Sequence, residues 1–489
     1  MMFTQIVTRS GYLLIIAMLL MACTEAGAVN STDSPVAIPT PSFFAEAAKP
    51  YRGLVLRGFT ENTPPPHYVR DVLAPAFEQE TGIKVEVEVG DNLHIEKIVE
   101  SGGGPYDYVY VEQDVIYGYL DKGLLVNLTL ALQENPHLVS PDFNPVDFTE
   151  FINEFKDPST GDLYGVPVEA FVKIYVYRKD LFEDPNIQAE FAAEHNYPLA
   201  PAVTFTQYRD IAAFFTQYGR EHNLELWGTA VQAAVGRTAS FYEFFETIAP
   251  AFGVYNWGIN PDNYKATVAN GGQLDGVRAK EALTFWVDML RYAPPEATSS
   301  TWDEIVETVA SGRVAQAWVY GEYVSRLAAD SSRSQIVGKV GVALPPTDPD
   351  IIEDAITGKG YIGYYDGAAF GIPINSQNKE AALLWLQYLG QATVQPEWAI
   401  ASGRIVHLST FDDPLVQIQD EKLDGYYTLM KEQGHLFAGA PPFPFHASVR
   451  DVIMPFIHQA ITGELTPEQA LDQAAIAVDK ELVRLGFGQ

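Results

Sequence analysis

The stretch YRGLVLRGFTENTPPPHYVRDVLAPAFEQETGIKVEVEVG, residues 51–90, decides the fold. Its first nine residues are rich in β-formers. From His67 the apolar residues Val69, Val72, Leu73 and Phe77 recur at helical spacing, and Gly82 ends the run. Residues 83–90, IKVEVEVG, then alternate apolar and polar like a half-buried strand. Strand, helix, strand in so few residues implies a parallel pairing with the helix packed on the sheet. The unit repeats at once: a helix over NLHIEKIVESGG (92–103) leads to YDYVYVEQD (106–114), a strand ending in polar residues. The spacing predicts an α/β fold whose sheets are mostly parallel and flanked by helices.

Later segments follow the same grammar. VKIYVYRKDLF (172–182) reads as strand into helix, and TFTQYRDIAAFFTQYG (204–219) as a helix capped by Thr204 or Thr206. RAKEALTFWVDMLRYA (278–293) is amphipathic, with a stripe of Ala282, Phe285, Trp286, Met289 and Leu290. DEIVETVASGRVAQAWVY (303–320) runs helix, turn, strand; KVGVALPPT (339–347) is a strand closed by prolines; NKEAALLWLQYLGQA (378–392) is a long helix. Two α/β lobes accommodate these elements better than one long sheet. Trp286, Trp385 and Trp398 fall on helical stripes and are assigned to the core.

Composition narrows the function. The chain has 489 residues, 47 % hydrophobic and 19 % charged, which describes a globular protein of two or three domains. Its net charge of −32 and lack of any Lys/Arg run exclude nucleic acid as a partner. No HExxH, GxSxG or P-loop motif is present, and the nine histidines stand singly, so neither a metal site nor a cofactor is expected. Sixty-three carboxylates would supply a glycoside-hydrolase pair by chance alone, so their number does not argue for an enzyme.

The amino terminus carries an address. Arg9 precedes an apolar run from Tyr12 to Ala22, too short to span a bilayer and suited to a secretory signal over residues 1–22. Leu20-Met21-Ala22-Cys23 resembles the lipobox of bacterial lipoproteins, which implies that Cys23, the only cysteine, becomes lipidated and holds the protein to the outer face of the membrane. Ordinary secretory cleavage near Ala26 or Ala28 is the alternative. Residues 23–50, rich in Ala, Ser, Thr and Pro, are expected to be a flexible tether.

Five segments in order carry a resemblance to a known family: DLYGVPVEAFVKIYVYRKDLF (162–182), SGRVAQAWVYGEY (311–323), KVGVALPPT (339–347), AFGIPINSQNKEAALLWLQYL (369–389) and GELTPEQALDQAAIAVDKEL (463–482). The chain resembles family 1 extracellular solute-binding proteins, the sugar receptors of ABC importers related to maltose-binding proteins. Gln316 and Tyr323 depart from the family's usual Met and Trp. The resemblance implies a two-lobe periplasmic-binding-protein-like fold, with lobe one over 51–168 and 369–415 and lobe two over 172–364 and 418–489. Crossings near 168–171 and 364–368 would be the hinge. It also implies a monomer that closes on a small carbohydrate and delivers it to a permease. A cationic solute such as a polyamine or peptide is the rival ligand, given the charge.

A sugar needs planar rings for its C–H faces and carboxylates or amides for its hydroxyls, placed on loops at strand ends. By that rule the candidates after the first strand are Thr60, Glu61 and Asn62, with a solvated turn as the alternative. At the VEQD stretch they are Glu112, Gln113 and Asp114, of which Asp114 is equally suited to cap a helix. Glu169 and Phe171 sit at the first crossing, where Phe171 either faces the cleft or packs the hinge. Trp257 answers to a region in which the family stacks an aromatic. Trp318 and Tyr320 share one side of a strand, and Glu322 and Tyr323 follow it. Asp366 and Gly367 occupy the second crossing, where the glycine would let backbone N–H groups approach a ligand. Arg404 resembles a family position facing the cleft.

Overall fold

A computed structural model describes residues 42–488. The leader, Cys23 and the tether up to residue 41 lie outside the described residues. The expected tether is too long at its far end. Ser42 caps a short helix, Phe43–Ala47, by accepting a hydrogen bond from the Ala45 N–H at 3.1 Å. Phe44 is buried edge-on against Phe77 and Tyr388, with centroids 6.4 and 5.4 Å apart. An aromatic ring inside an Ala-rich stretch is what draws this segment onto the core.

The ordered chain builds two sheets. The first contains β1 (Val55–Glu61), β2 (Lys84–Gly90), β3 (Tyr108–Glu112), β4 (Gly165–Pro167) and β10 (Ala368–Gly371); the second contains β5 (Phe171–Arg178), β6 (Trp227–Thr229), β7 (Val314–Tyr320) and β8 (Val340–Ala343), with β9 (Tyr365–Asp366) paired on β5. Their orders are β2-β1-β3-β10-β4 and β6-β7-β5-β8. The β1 crossover forms as its spacing predicts: Val69, Leu73 and Phe77 are buried, and Gly82 ends the helix at φ +74°. Val72 is the exception and faces outward.

The sheets are mixed rather than mostly parallel. β1 runs parallel to β2 and β3, but β10 is antiparallel to both β3 and β4. In the second sheet only β6 and β7 are parallel, and β5 is antiparallel to β7, β8 and β9. The cause is the doubled connection: the chain leaves the first sheet between β4 and β5 and returns to it between β9 and β10, so β5 and β9, and β4 and β10, run in opposite directions. The two connections lie side by side, since the N–H groups of Val168 and Glu169 both donate to the Ala368 carbonyl at 2.9 and 3.1 Å.

The central strands β3, β5 and β7 are buried on both faces, which suits their near-continuous apolar runs, whereas β2 at the edge alternates. One core gathers Phe59, Phe77, Tyr108, Val111, Phe370 and Trp385 around the first sheet. Two more cover the second: Tyr175, Tyr208, Trp286 and Trp318 on one side, and Val172, Ile174, Val319 and Tyr323 on the other. Trp286, Trp385 and Trp398 are buried as assigned. Thr204 caps its helix (Phe205–Glu221) with a capping box completed by Gln207. The helix Gln395–Ser402 serves both halves, with Trp398 in the first core and Ala399 in the second.

Candidate functional site

Strand ends from both sheets converge on one cavity of about 40 Å³. Glu61 closes β1 and Thr63 follows it; Tyr110 and Glu112 alternate along β3, and Asp114 lies just beyond. Glu169 comes from the first connection, Phe171 from the start of β5, Tyr320 from the end of β7, and Glu322 from the turn after it. Asp366 in β9, Tyr242 from the helix Ala239–Tyr242 and Trp302 from the helix Trp302–Ala310 complete the lining.

Glu169 is the best-connected acid. It is fully buried and accepts hydrogen bonds from Thr63 Oγ1 and the Tyr110 hydroxyl, both at 2.7 Å. Burial pushes it up to about 7, against the pull of those two bonds and of the nearby Arg404 charge. Glu61 is pushed up to about 8 by burial and by Glu169 and Asp366. Asp366 rises to about 7 through burial and the Asp114 charge, and Asp114 to about 6 through burial. Glu112 and Glu322 are held well above the usual carboxylate range by burial and their acidic neighbours. Near neutral pH the lining therefore combines carboxylates that only accept with protonated carboxyls that also donate.

Cations stand behind this surface rather than on it. Lys173 lies 4.4 Å from the centre of the Tyr320 ring, bonded to Glu243 and, at 3.0 Å, to Gln232 Oε1; burial lowers it to about 7. Arg450 is fixed to Glu96 by two bonds of 2.7 and 3.1 Å. His446 Nε2 sits 3.1 Å from Asp114 Oδ2, and burial holds the imidazole neutral. Among the described residues, no group of three or more His, Cys, Asp or Glu is arranged to hold a metal ion.

Of the residues named from sequence, Glu61, Glu112, Asp114, Glu169, Phe171, Tyr320, Glu322 and Asp366 line the cavity. The others are placed elsewhere. Thr60 is buried inside β1, and exposed Asn62 bonds to His67 at 2.8 Å. Gln113 bonds to the Tyr365 carbonyl and the Ala440 N–H, fastening the second connection. Gly367, at φ +141°, has no space for a Cβ, which would come within 2.3 Å of the Glu169 carbonyl oxygen; the glycine lets two backbones pass instead of admitting a ligand.

The large side chains depart most. Trp318 stacks on Tyr208 at 4.0 Å and 14° in the core. Trp257 is buried against Phe443 and His446, at 5.7 and 4.2 Å. Tyr323 is buried and donates to Asp303 at 2.9 Å. Arg404 is fully buried, 3.5 Å over the Trp398 ring, and supports Glu169 from behind.

Four lining residues were not anticipated. Tyr110 was legible, because it shares a strand face with Glu112, and Thr63 lies two residues past Glu61. Tyr242 and Trp302 sit on helices, which a rule confined to strand-end loops passes over.

Residues 62–396 match the model of the bacterial extracellular solute-binding protein family, and the chain belongs to that family. It is therefore a binding protein and not an enzyme. It is similar to a mannitol-binding protein of Pseudomonas aeruginosa, with 25 % identity over 342 residues, 67 % of this chain and 71 % of that one. Among solved structures, an ABC transporter solute-binding protein of Agrobacterium radiobacter K84 in complex with ribitol superposes with a TM-score of 0.70 at 21 % identity, covering 88 % of this chain and 99 % of that one. One from Agrobacterium vitis S4 with bound D-mannitol gives 0.68 at 19 %, covering 89 % and 100 %. Maltose-bound MalE3 of T. maritima gives 0.70 at 18 %, covering 88 % and 100 %. These likenesses establish the two-sheet α/β fold of periplasmic binding proteins for this chain.

Proposed function

We propose that the chain is the receptor of an ABC importer, held outside the cell membrane through a lipidated Cys23, and that it captures a small sugar or polyol. The observation that carries this reading is the cavity itself. One side comes from strand ends of the first sheet, the other from strand ends of the second, and both carboxyl groups and aromatic rings line it. The mannitol-binding relative supports the ligand class. Lobes at 51–168 with 369–415 and at 172–364 with 418–489 would move about the paired connections. Pockets for small ligands usually measure about 300–1,000 Å³, well above the 40 Å³ here. The halves must part to admit a solute and close again around it. Closure brings both sets of side chains onto one molecule, and a ligand that favours the closed form shifts the population toward it. The protein then acts as a monomer and passes its solute to the permease.

A thermal-shift screen of sugars and polyols tests the reading. A solute at a hundred times its Kd adds about 2.7 kcal/mol of stability, and a true ligand raises the melting temperature visibly. Silence across hexitols, pentitols, mono- and disaccharides overturns it. Cys23→Ala is expected to release the protein from the membrane fraction while leaving ligand binding unchanged; retention in the membrane refutes the lipid anchor.

A further inference from the structure

Resting on the sugar-or-polyol reading, we infer that the solute of this site carries a protonated amine beside its hydroxyls. Most hydroxyl protons of the wall are already committed. Thr63 and Tyr110 give their protons to Glu169, and Tyr320 gives its own to Glu246 at 3.3 Å. Oε2 of Glu322, a residue 5 % exposed, is buried without a hydrogen-bond partner among the described residues, while Asp114, 4 % exposed, is met by Tyr242 and lies 3.1 Å from His446 Nε2. Asp114 belongs to the first sheet's side and Glu322 to the second's, so the two buried acids face the cavity from opposite halves.

An ammonium donates three times and accepts nothing, so each of its protons can be met by a carboxyl of the wall. The wall is matched to the ammonium. Charge agrees with the count. Six carboxyl groups line the cavity and no lysine or arginine does. Lys173 is committed to Glu243 and Gln232, Arg450 to Glu96, and Arg404 lies behind Glu169. The rings of Tyr110, Tyr242, Tyr320 and Trp302 in the same wall add faces on which a cation is favoured. An ammonium between Asp114 and Glu322 would also bridge the halves, so that its charge helps hold them closed.

The test compares matched probes by calorimetry at pH 7.5: D-sorbitol, its amine analogue D-glucamine (1-amino-1-deoxy-D-sorbitol), and putrescine, an amine without hydroxyls. D-glucamine is expected to bind at least ten-fold more tightly than sorbitol, and Asp114→Asn and Glu322→Gln are each expected to bring that ratio toward one. Sorbitol binding as tightly as D-glucamine overturns the inference and leaves the polyol receptor standing. A ratio that neither substitution changes, in variants whose circular dichroism matches the parent, overturns the assignment to these two acids. Putrescine binding as well as D-glucamine overturns the hydroxyl-rich reading of the site, while the amine recognition holds. Failure of all three overturns both.

Discussion

Replacing Glu169 by Gln isolates the electrostatics of the site in one measurement. The side chain keeps its shape and can still meet Thr63 and Tyr110, but it no longer titrates. In the parent protein the folded chain holds the Glu169 proton up to about 7, against an ordinary value of 4.5. Below 4.5 both folded and unfolded chains carry the proton, and the folded state has its full stability. Between 4.5 and 7 only the unfolded chain releases it, so stability falls as pH rises, at about 1.4 kcal/mol per pH unit. The loss reaches about 3 kcal/mol by pH 7 and is constant above. Glu169→Gln lacks this component. Urea unfolding of both proteins without ligand, at pH 4.5 and pH 8, should show the variant gaining about 3 kcal/mol on the parent between those conditions. Glu61, Glu322 and Asp366 are each held up in part by the Glu169 charge, so its removal also eases them and adds to the gain in the same direction. A difference that stays constant with pH would mean that Arg404 keeps Glu169 ionised throughout, and the half-protonated wall would be refuted.

Three further outcomes can be checked directly. Trp318→Ala and Trp257→Ala should each cost roughly 3–5 kcal/mol of stability in urea, because both rings fill core, whereas Tyr320→Ala should weaken solute binding about ten- to a hundredfold. The opposite pattern would relocate the site. Gly367→Ala should lower stability by more than the roughly 1–3 kcal/mol of a strained φ alone, since its Cβ meets the Glu169 backbone; an unchanged melting temperature would refute the close crossing. A chain starting at Ser42 should match the full-length melting temperature, and one starting at Tyr51 should lose a few kcal/mol with Phe44; equal stability would return residues 42–50 to the tether.

The crossover that opens the fold was legible because three local signals agree over residues 51–90: alternation in the strands, a 3.6-residue period in the helix, and Gly82 as a stop. The place of β10 was not, since nothing in Ala368–Gly371 says that it inserts between β3 and β4; strand order is a long-range property. At the site, acids were easier to place than aromatics. A carboxylate at the end of an apolar strand has few reasons to be there besides a cavity, so Glu61, Glu112, Glu322 and Asp366 stood out. A tryptophan near a loop satisfies burial equally well in a core, which is where Trp257 and Trp318 lie. Gln113 was misleading for a different reason: its neighbours face the cavity, but its own amide is turned to the Tyr365 carbonyl and the Ala440 N–H.

The insertion of β10 between β3 and β4 has a consequence for the order in which the protein can be made. Until the chain reaches residue 368, the first sheet is split, and β3 presents a bare hydrogen-bonding edge beside the unpaired β4. All of β5 to β8 must be synthesised and carried across the membrane before the strand that seals that edge arrives. Open edges pair with whatever strand is near, and non-local closure is slow. The amino-terminal half is thus a hazard in transit rather than an early-folding unit, and its protection depends on staying unfolded until its last strand has been exported.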